Sequence, residues 1–388
     1  MSDRPIEIAV LMESTSVSGP AKNLIEFARR AAQPETGIPL IRMTLVTYQR
    51  GAVESEFVSA AKAAGMPVVL LPESGPLDLR VVGRLRNALT GLKPDIIQSH
   101  NIKSHLFVRL TGLYKSYPWI AFNHGYTAVD LKDRIYNYAD RFSLPRAYRV
   151  VAVCGPFGRR LIARGVDCER IRIQHNSVKP FVVPNAEAVE NVRRKHGIGE
   201  ELVVLCAGRL STEKGQADLL EAVALIAKMP DIPRFRLLLA GDGVERQHLE
   251  RLSARLGIQE KVIFAGHASD MRPYYAMASM LVLPSHSEGS PNVVLEALAA
   301  GLAVAATTVG GVPEILEEGR TGLMVPPRNS AALAEATARL LRDPGLRCRL
   351  ASVGQEYVMR SFTPETYRLS LTTLYRSVLD DYRNYTGT

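Results

Sequence analysis

From residue 6 to about residue 343, short β-branched, apolar runs alternate with stretches whose apolar positions repeat at helical spacing. A strand covered on both faces reads as a continuous apolar run, so the alternation predicts parallel sheets with helices on both sides. The runs predict strands at 6–12, 40–47, 67–71, 95–99, 119–123, 149–153 and 171–174 in the first half. In the second half they predict strands at 202–207, 235–240, 262–265, 280–283, 303–306 and 323–325. That is too many for one doubly wound sheet, and residues 177–199, with Pro180 and Pro184, break the alternation, so a domain boundary is placed there. The expected domains are 1–178 and 179–363. Beyond about residue 343 only helical patterns remain. They end in an amphipathic segment, 363–384, where Tyr367, Leu371, Leu374, Val378 and Tyr382 fall near helical spacing and need an apolar surface to cover.

A length of 388 residues is about two domains at ~150 residues each. With 46% hydrophobic and 22% charged residues, the chain is globular in composition, which excludes disordered, collagen-like and coiled-coil classes. No apolar run reaches the ~18 residues of a spanning helix. Asp3, Arg4 and Glu7 stand where a secretory leader would carry its apolar stretch, so a cytoplasmic protein is expected. Cys154, Cys168, Cys206 and Cys348 form no C-x-x-C pair and have no histidine at metal spacing, which predicts reduced core thiols rather than zinc or disulfides.

Lysine and arginine number 48 against 39 acids, a net charge of +9. Residues 1–178 hold 24 basic and 15 acidic side chains, so the remainder holds 24 (48 − 24) and 24 (39 − 15), and the whole excess lies in the first half. Such asymmetry suits an anionic partner, either a membrane surface, a phosphate-bearing acceptor or nucleic acid, or else it is a solubilising surface charge. Nucleic acid is disfavoured because the basic residues are dispersed without an aromatic platform. The segment 102–119, with Lys103, Arg109, Tyr114, Lys115 and Tyr117, is the expected contact for an anionic membrane, with a solvated helix as the plainer reading.

Several motifs are absent: there is no Gly-Lys dipeptide for a P-loop, no G-x-G-x-x-G, no G-x-S-x-G, no H-E-x-x-H and no D-x-D. A constellation in the second half is present. GRLSTEKG at 208–215 directly follows a predicted strand, and a loop at the carboxyl end of a parallel strand is where open α/β sheets bind ligands. Arg209 offers a planar fork and Lys214 a point charge for a diphosphate, although pairing with Glu213 alone would be the ordinary outcome for such a loop. EGSPNVVLE at 288–296 opens a helix with Pro291 in its first turn and Gly301 beyond its end. The amides of Asn292, Val293 and Val294 would form an anion site. Glu296, one turn on and leaning toward the helix start, could accept from ribose hydroxyls, and Glu288 could touch the group attached to the phosphate. In the first half, STSVSGPAK at 14–22, with Gly19, permits close backbone approach to a ligand. His124, in NHGY at 123–126, is a hydrogen-bonding or acid/base candidate, while His100 and His105 read as structural.

GRLSTEKG, the paired glutamates of EGSPNVVLEALAAG and VGGVPE at 309–314, in this order, resemble the retaining glycosyltransferases of family 4. The resemblance extends over essentially the whole chain. It implies the GT-B fold, an α/β architecture of two Rossmann-like doubly wound domains facing a cleft, with the last helix (364–388) returning to the first domain. It implies an acceptor-binding first domain and a donor-binding second domain. It also implies a nucleotide-diphosphate sugar held by Gly19, Arg209, Lys214, Ser290, Asn292, Val293 and Glu296. Glu288 and His124 would face the sugar, with Arg209 and Lys214 stabilising the leaving diphosphate. No metal or cofactor is expected. The expected activity is retaining transfer of a hexose, from a UDP-sugar first and a GDP-sugar next, to a glycolipid or saccharide acceptor in bacterial surface polysaccharide synthesis. The departures are Pro20-Ala21-Lys22 where the family often has Gly-Ala-Glu, Asn176-Ser177 for Asn-Gly, and Ala303 for a frequent proline. A nucleotide-sugar epimerase and a non-catalytic sugar-binding protein are the alternatives.

Overall fold

The computed structural model describes residues 4–75, 78–125 and 138–386. It separates into two units, Met1–Asn176 together with Pro364–Thr388, and Ser177–Thr363.

The first unit holds seven parallel strands, β1 (Ile6–Leu11), β2 (Ile41–Gln49), β3 (Val68–Pro72), β4 (Ile96–Ser99), β5 (Trp119–Asn123), β6 (Arg149–Ala152) and β7 (Ile171–Ile173), in the order β3-β2-β1-β4-β5-β6-β7. The order reverses at β1/β4, where Val10 pairs with Leu45 on one side and Gln98 on the other. Because strand side chains alternate between faces, Ile8 and Val10 enter one core with Phe27 and Leu24, while Ala9 and Leu11 enter the opposite one with Leu85 and Phe107.

The second unit repeats the plan with β8 (Leu202–Ala207), β9 (Phe235–Ala240), β10 (Val262–Gly266), β11 (Met280–Leu283), β12 (Ala303–Thr307) and β13 (Leu323–Val325), in the order β10-β9-β8-β11-β12-β13. Val204 and Cys206 pack with Leu219 and Leu220, and Val203 and Leu205 pack with Leu295 and Leu298 on the other face. The stretch read as an interruption contains a helix, Ala186–Lys195, capped by the Asn185 side chain, which accepts from Ala188 N–H at 2.8 Å.

The final helix, Pro364–Thr386, supplies Tyr367, Leu371, Tyr375, Val378 and Leu379 to the core of the first unit. Tyr367 and Tyr375 meet the Phe27 ring edge-on, at centroid distances of 6.3 and 5.8 Å. This buried face also carries a charge, for Arg368 is nearly buried and bonds to Glu365 at 2.6 Å and to Glu35. All four cysteines are free, but Cys168 and Cys348 are exposed. The expectation of four core thiols therefore holds only for Cys154 and Cys206. Among the described residues no helix is long and apolar enough to cross a membrane.

Candidate active site

In the second unit the strand order reverses between neighbours β8 and β11. The loops that leave their carboxyl ends therefore diverge around a crevice, the usual ligand position in open α/β sheets. GRLSTEKG is the loop after β8. It makes a short 3-10 turn, Thr212–Lys214, and then Gly215, at φ 64°, caps the helix Gln216–Ile226. A Cβ on Gly215 would lie 2.1 Å from the Pro284 carbonyl oxygen, so only glycine lets this loop press against the end of β11. His286 joins the loops twice: its amide donates to the Glu213 carbonyl at 2.8 Å, and its Nε2 lies 2.8 Å from Asp218 in the helix after the turn.

The two candidate cations have different surroundings. Arg209 is exposed and bonds to Glu213 at 2.7 Å, the local pairing that the loop sequence allows. Lys214 is three-quarters buried and reaches across to Glu288, with Nζ 2.7 Å from Oε1. The same Glu288 oxygen accepts from Ser285 Oγ at 2.6 Å, and the Ser285 carbonyl accepts from the Thr307 hydroxyl at 2.5 Å. VGGVPE backs this loop. A Cβ on Gly310, at φ 53°, would fall 1.6 Å from the Glu288 carbonyl oxygen, and the Gly311 amide donates to the Gly289 carbonyl at 2.9 Å. Ser290 is buried beside them.

The helix Asn292–Ala299 starts at Pro291, which occupies the capping position rather than the first turn. It ends in a Schellman arrangement: Gly301, at φ 74°, donates to Leu298 and Leu302 donates to Ala297. One expectation is corrected here. The Val294 amide donates to the Pro291 carbonyl at 3.1 Å, closing the first helical turn, so it is not offered to an anion. Asn292 and Val293 remain at the helix start, and Asn292 Oδ1 is buried without a partner among the described residues. Glu296 Oε2 accepts from the Tyr275 phenol at 2.8 Å. Burial pushes that phenol well above its ordinary pKa, the Glu296 charge adds to the effect, and it stays a donor.

In the first unit, Gly19 opens the helix Gly19–Ala31 after β1, and its carbonyl accepts from Asn23 Nδ2 at 3.1 Å. His124 follows β5 directly, half-buried, with Nε2 3.0 Å from Nδ1 of His100, which follows β4. The two rings lie edge to edge and nearly parallel, with centroids 5.3 Å apart and planes at 11°. Burial, helped by His105, lowers His124 to about 4, and burial lowers His105 to about 3. Tyr126 lies outside the described residues. His105 is structural, because Ser99 Oγ accepts from the Trp119 indole at 2.7 Å and lies 2.7 Å from His105 Nδ1. His100, read as structural, is the residue that touches the candidate His124. Lys103, counted above as a membrane contact, is nearly buried and held by Glu73 at 2.5 Å and Glu13 at 3.2 Å, which removes it from any membrane-facing surface.

Sequence reasoning thus named both glutamates, both cations and His124 as candidates, but not Tyr275 and Ser285, which hold the glutamates, and it read His100, which touches His124, as structural. Tyr275 sits in an apolar helical pattern that reads as core, and Ser285 and His286 occupy a plain polar loop. Among the described residues, no three His, Cys, Asp or Glu side chains group as metal ligands would.

Known proteins resemble the chain over both units. The family model described as "Glycosyl transferases group 1" matches residues 201–343, and that described as "Glycosyl transferase 4-like domain" matches residues 29–177. The lipopolysaccharide core biosynthesis glycosyltransferase LpsE of Rhizobium meliloti is 37% identical over 163 residues, 42% of this chain and 46% of that protein. The GDP-mannose-dependent alpha-(1-6)-phosphatidylinositol monomannoside mannosyltransferase of Mycobacterium tuberculosis is 28% identical, covering 82% of this chain and 86% of that one. The chain spans about half the length of curated relatives such as LpsE. Among solved structures, Anabaena Alr3699/HepE in complex with UDP-glucose superimposes with a TM-score of 0.81 at 21% identity, over 96% of this chain and 99% of that one. That likeness, with the two doubly wound parallel sheets, shows the GT-B fold, and with residues 201–343 matched by the group 1 model and residues 29–177 by the glycosyl transferase 4-like model the chain belongs to the group 1 glycosyl transferases.

Proposed function

We propose that the chain transfers a hexose from a nucleotide-diphosphate donor, a UDP-sugar before a GDP-sugar, to a glycolipid or saccharide acceptor of surface polysaccharide synthesis, with retention at the anomeric carbon and without a metal. The observation that carries the reading is the convergence of two loops at the β8/β11 switch point, which brings Lys214 within 2.7 Å of Glu288 across 74 positions of sequence. The relatives support it: LpsE is named for lipopolysaccharide core synthesis, the mycobacterial relative for GDP-mannose, and the HepE structure holds UDP-glucose.

In glycosyl transfer the anomeric carbon becomes cation-like while the diphosphate leaves with added negative charge. Arg209, Lys214 and the amides of Asn292 and Val293 stabilise that leaving group most when bond cleavage is advanced, so their effect falls on the transition state. Glu296, set by Tyr275, takes the ribose. Glu288 and Ser290 attend the sugar and its phosphate in the second unit, Gly19 and His124 are the first unit's candidates for a sugar contact, and with front-face attack the departing phosphate oxygen accepts the acceptor's proton. The first unit binds the acceptor, and its excess of basic side chains suits one that carries phosphate or is held at an anionic membrane surface.

The test is to incubate the purified chain with UDP-, GDP- and ADP-sugars and a lipid extract, record which nucleotide is released, and read the anomeric configuration of the product by NMR. UDP release with an axial-to-axial outcome, undiminished by EDTA, is expected. Release of no nucleotide, or an epimerised donor without an acceptor, overturns the reading.

A further inference from the structure

A hydrogen-bonded line runs through the first unit from the last helix to His124. Tyr375 OH lies 2.6 Å from Gln98 Oε1, Gln98 Nε2 lies 2.6 Å from His100 Nε2, and His100 Nδ1 lies 3.0 Å from His124 Nε2. Tyr375, Gln98 and His100 are all nearly or fully buried, so each polar atom must be satisfied inside the fold. Burial also holds both imidazoles neutral, His100 far below its ordinary value, so each ring carries one proton whose position is fixed by its neighbours.

Those positions follow from one end of the line. Among the described residues, the Tyr375 hydroxyl has only Gln98 Oε1 as its recorded partner, and its proton goes there. The Gln98 amide nitrogen therefore faces His100 Nε2, and since that nitrogen only donates, His100 Nε2 must accept. The His100 proton then sits on Nδ1 and is donated to His124 Nε2. His124 is left with its proton on Nδ1, an atom that is buried and has no partner among the described residues.

We propose that Tyr375, acting through Gln98 and His100, is a positioning residue that locks His124 as its Nδ1–H tautomer, so that His124 serves as a hydrogen-bond donor to the transferred sugar and not as a base. The proposal rests on the reading of His124 as a sugar contact. It gives the last helix a chemical as well as a packing role: a phenol 277 positions from Gln98 orients the amide that sets the tautomer.

Two-bond proton–nitrogen correlation spectra of the full chain, with 15N-labelled histidine and with His124 identified through His124→Gln, test this directly at pH 7. The wild type should show a protonated Nδ1 and a bare Nε2 on His124. Tyr375→Phe removes the directing proton, and Gln98→Met removes the amide. Each should turn His124 into a mixture of tautomers and lower kcat about tenfold or more, leaving donor KM within about twofold. Leu371→Ala loosens the same helix without touching the line and should leave the tautomer unmixed. A wild-type Nε2–H tautomer, an unchanged tautomer in both variants, or mixing without a fall in kcat overturns the proposal. If the tautomer behaves as described but no nucleotide-sugar is turned over, the relay stands and the assignment to sugar transfer fails.

Discussion

Lys214 neutralises Glu288 at 2.7 Å while Glu288 is also held by Ser285, so the carboxylate is the fixed partner and the lysine the one that can turn. On the proposed reading, a diphosphate would compete with Glu288 for the Lys214 charge. Two substitutions should then act in opposite directions on nucleotide binding. Lys214→Ala removes the cation and should lower kcat about a hundredfold, roughly 3 kcal/mol of transition-state stabilisation, and weaken UDP binding. Glu288→Gln keeps an acceptor for Ser285 but releases Lys214, so UDP should bind more tightly while sugar transfer falls. Titration calorimetry with UDP beside a turnover assay reads both, and weaker UDP binding by Glu288→Gln would contradict the competition. Tyr275 presents a smaller case. Its phenol holds Glu296 Oε2 at 2.8 Å, and Tyr275→Phe should reduce nucleotide affinity by about tenfold or more, the worth of one hydrogen bond to a charged group, with kcat at saturation nearly unchanged.

The helices that carry these residues differ in how plainly the sequence announces them. Pro291 and Gly301 bracket Asn292–Ala299 by local backbone chemistry, and the strands β8, β9, β11 and β13 have the bounds that their apolar runs predict. Local patterns of this kind are legible because each residue's preference and the fold's demand coincide. What was not legible is long-range. Gly310 looks like a turn residue, and only the fold shows that it clears the Glu288 carbonyl. Tyr375 stands among apolar neighbours at helical spacing and reads as core, which it also is, and nothing local tells that its hydroxyl reaches Gln98. The apolar face of Pro364–Thr386 was legible in outline, and it carries a direct prediction. Leu371 is 2% exposed within the first unit's core, so Leu371→Ala should destabilise that unit by about 2–5 kcal/mol, seen as a lowered denaturant midpoint with an unchanged slope. A loss under 1 kcal/mol would mean that the helix is dispensable to the core it covers.

For the molecule as a whole, acid should act unequally on the two units. His100, His105 and His124 all belong to the first, and burial depresses all three: His124 to about 4, His105 to about 3 and His100 in the same direction. In the unfolded chain each would take up its proton near 6.5. Between about 6.5 and 4 the unfolded state therefore binds more protons than the folded state, and stability rises with pH across that window. It is fully present above about 6.5 and is lost as the pH falls toward 4, at up to about 1.4 kcal/mol per pH unit for each imidazole. The second unit has less to lose, for His196 is shifted in the same direction but is only partly buried. Amide exchange, corrected for the intrinsic rate at each pH, separates the two. Between pH 7 and pH 5, protection in β4, β5 and Pro364–Thr386 should fall by several-fold or more, while β8 and β11 hold theirs. The same three histidines stay neutral through this range, so turnover by the surviving folded fraction should be flat with respect to His124 ionisation from pH 8 to about 5. Equal loss of protection in both units, or a titration of kcat near 6.5 that His124→Gln abolishes, would show that the imidazole line is hydrated and charged and not the dry, neutral relay that its packing describes.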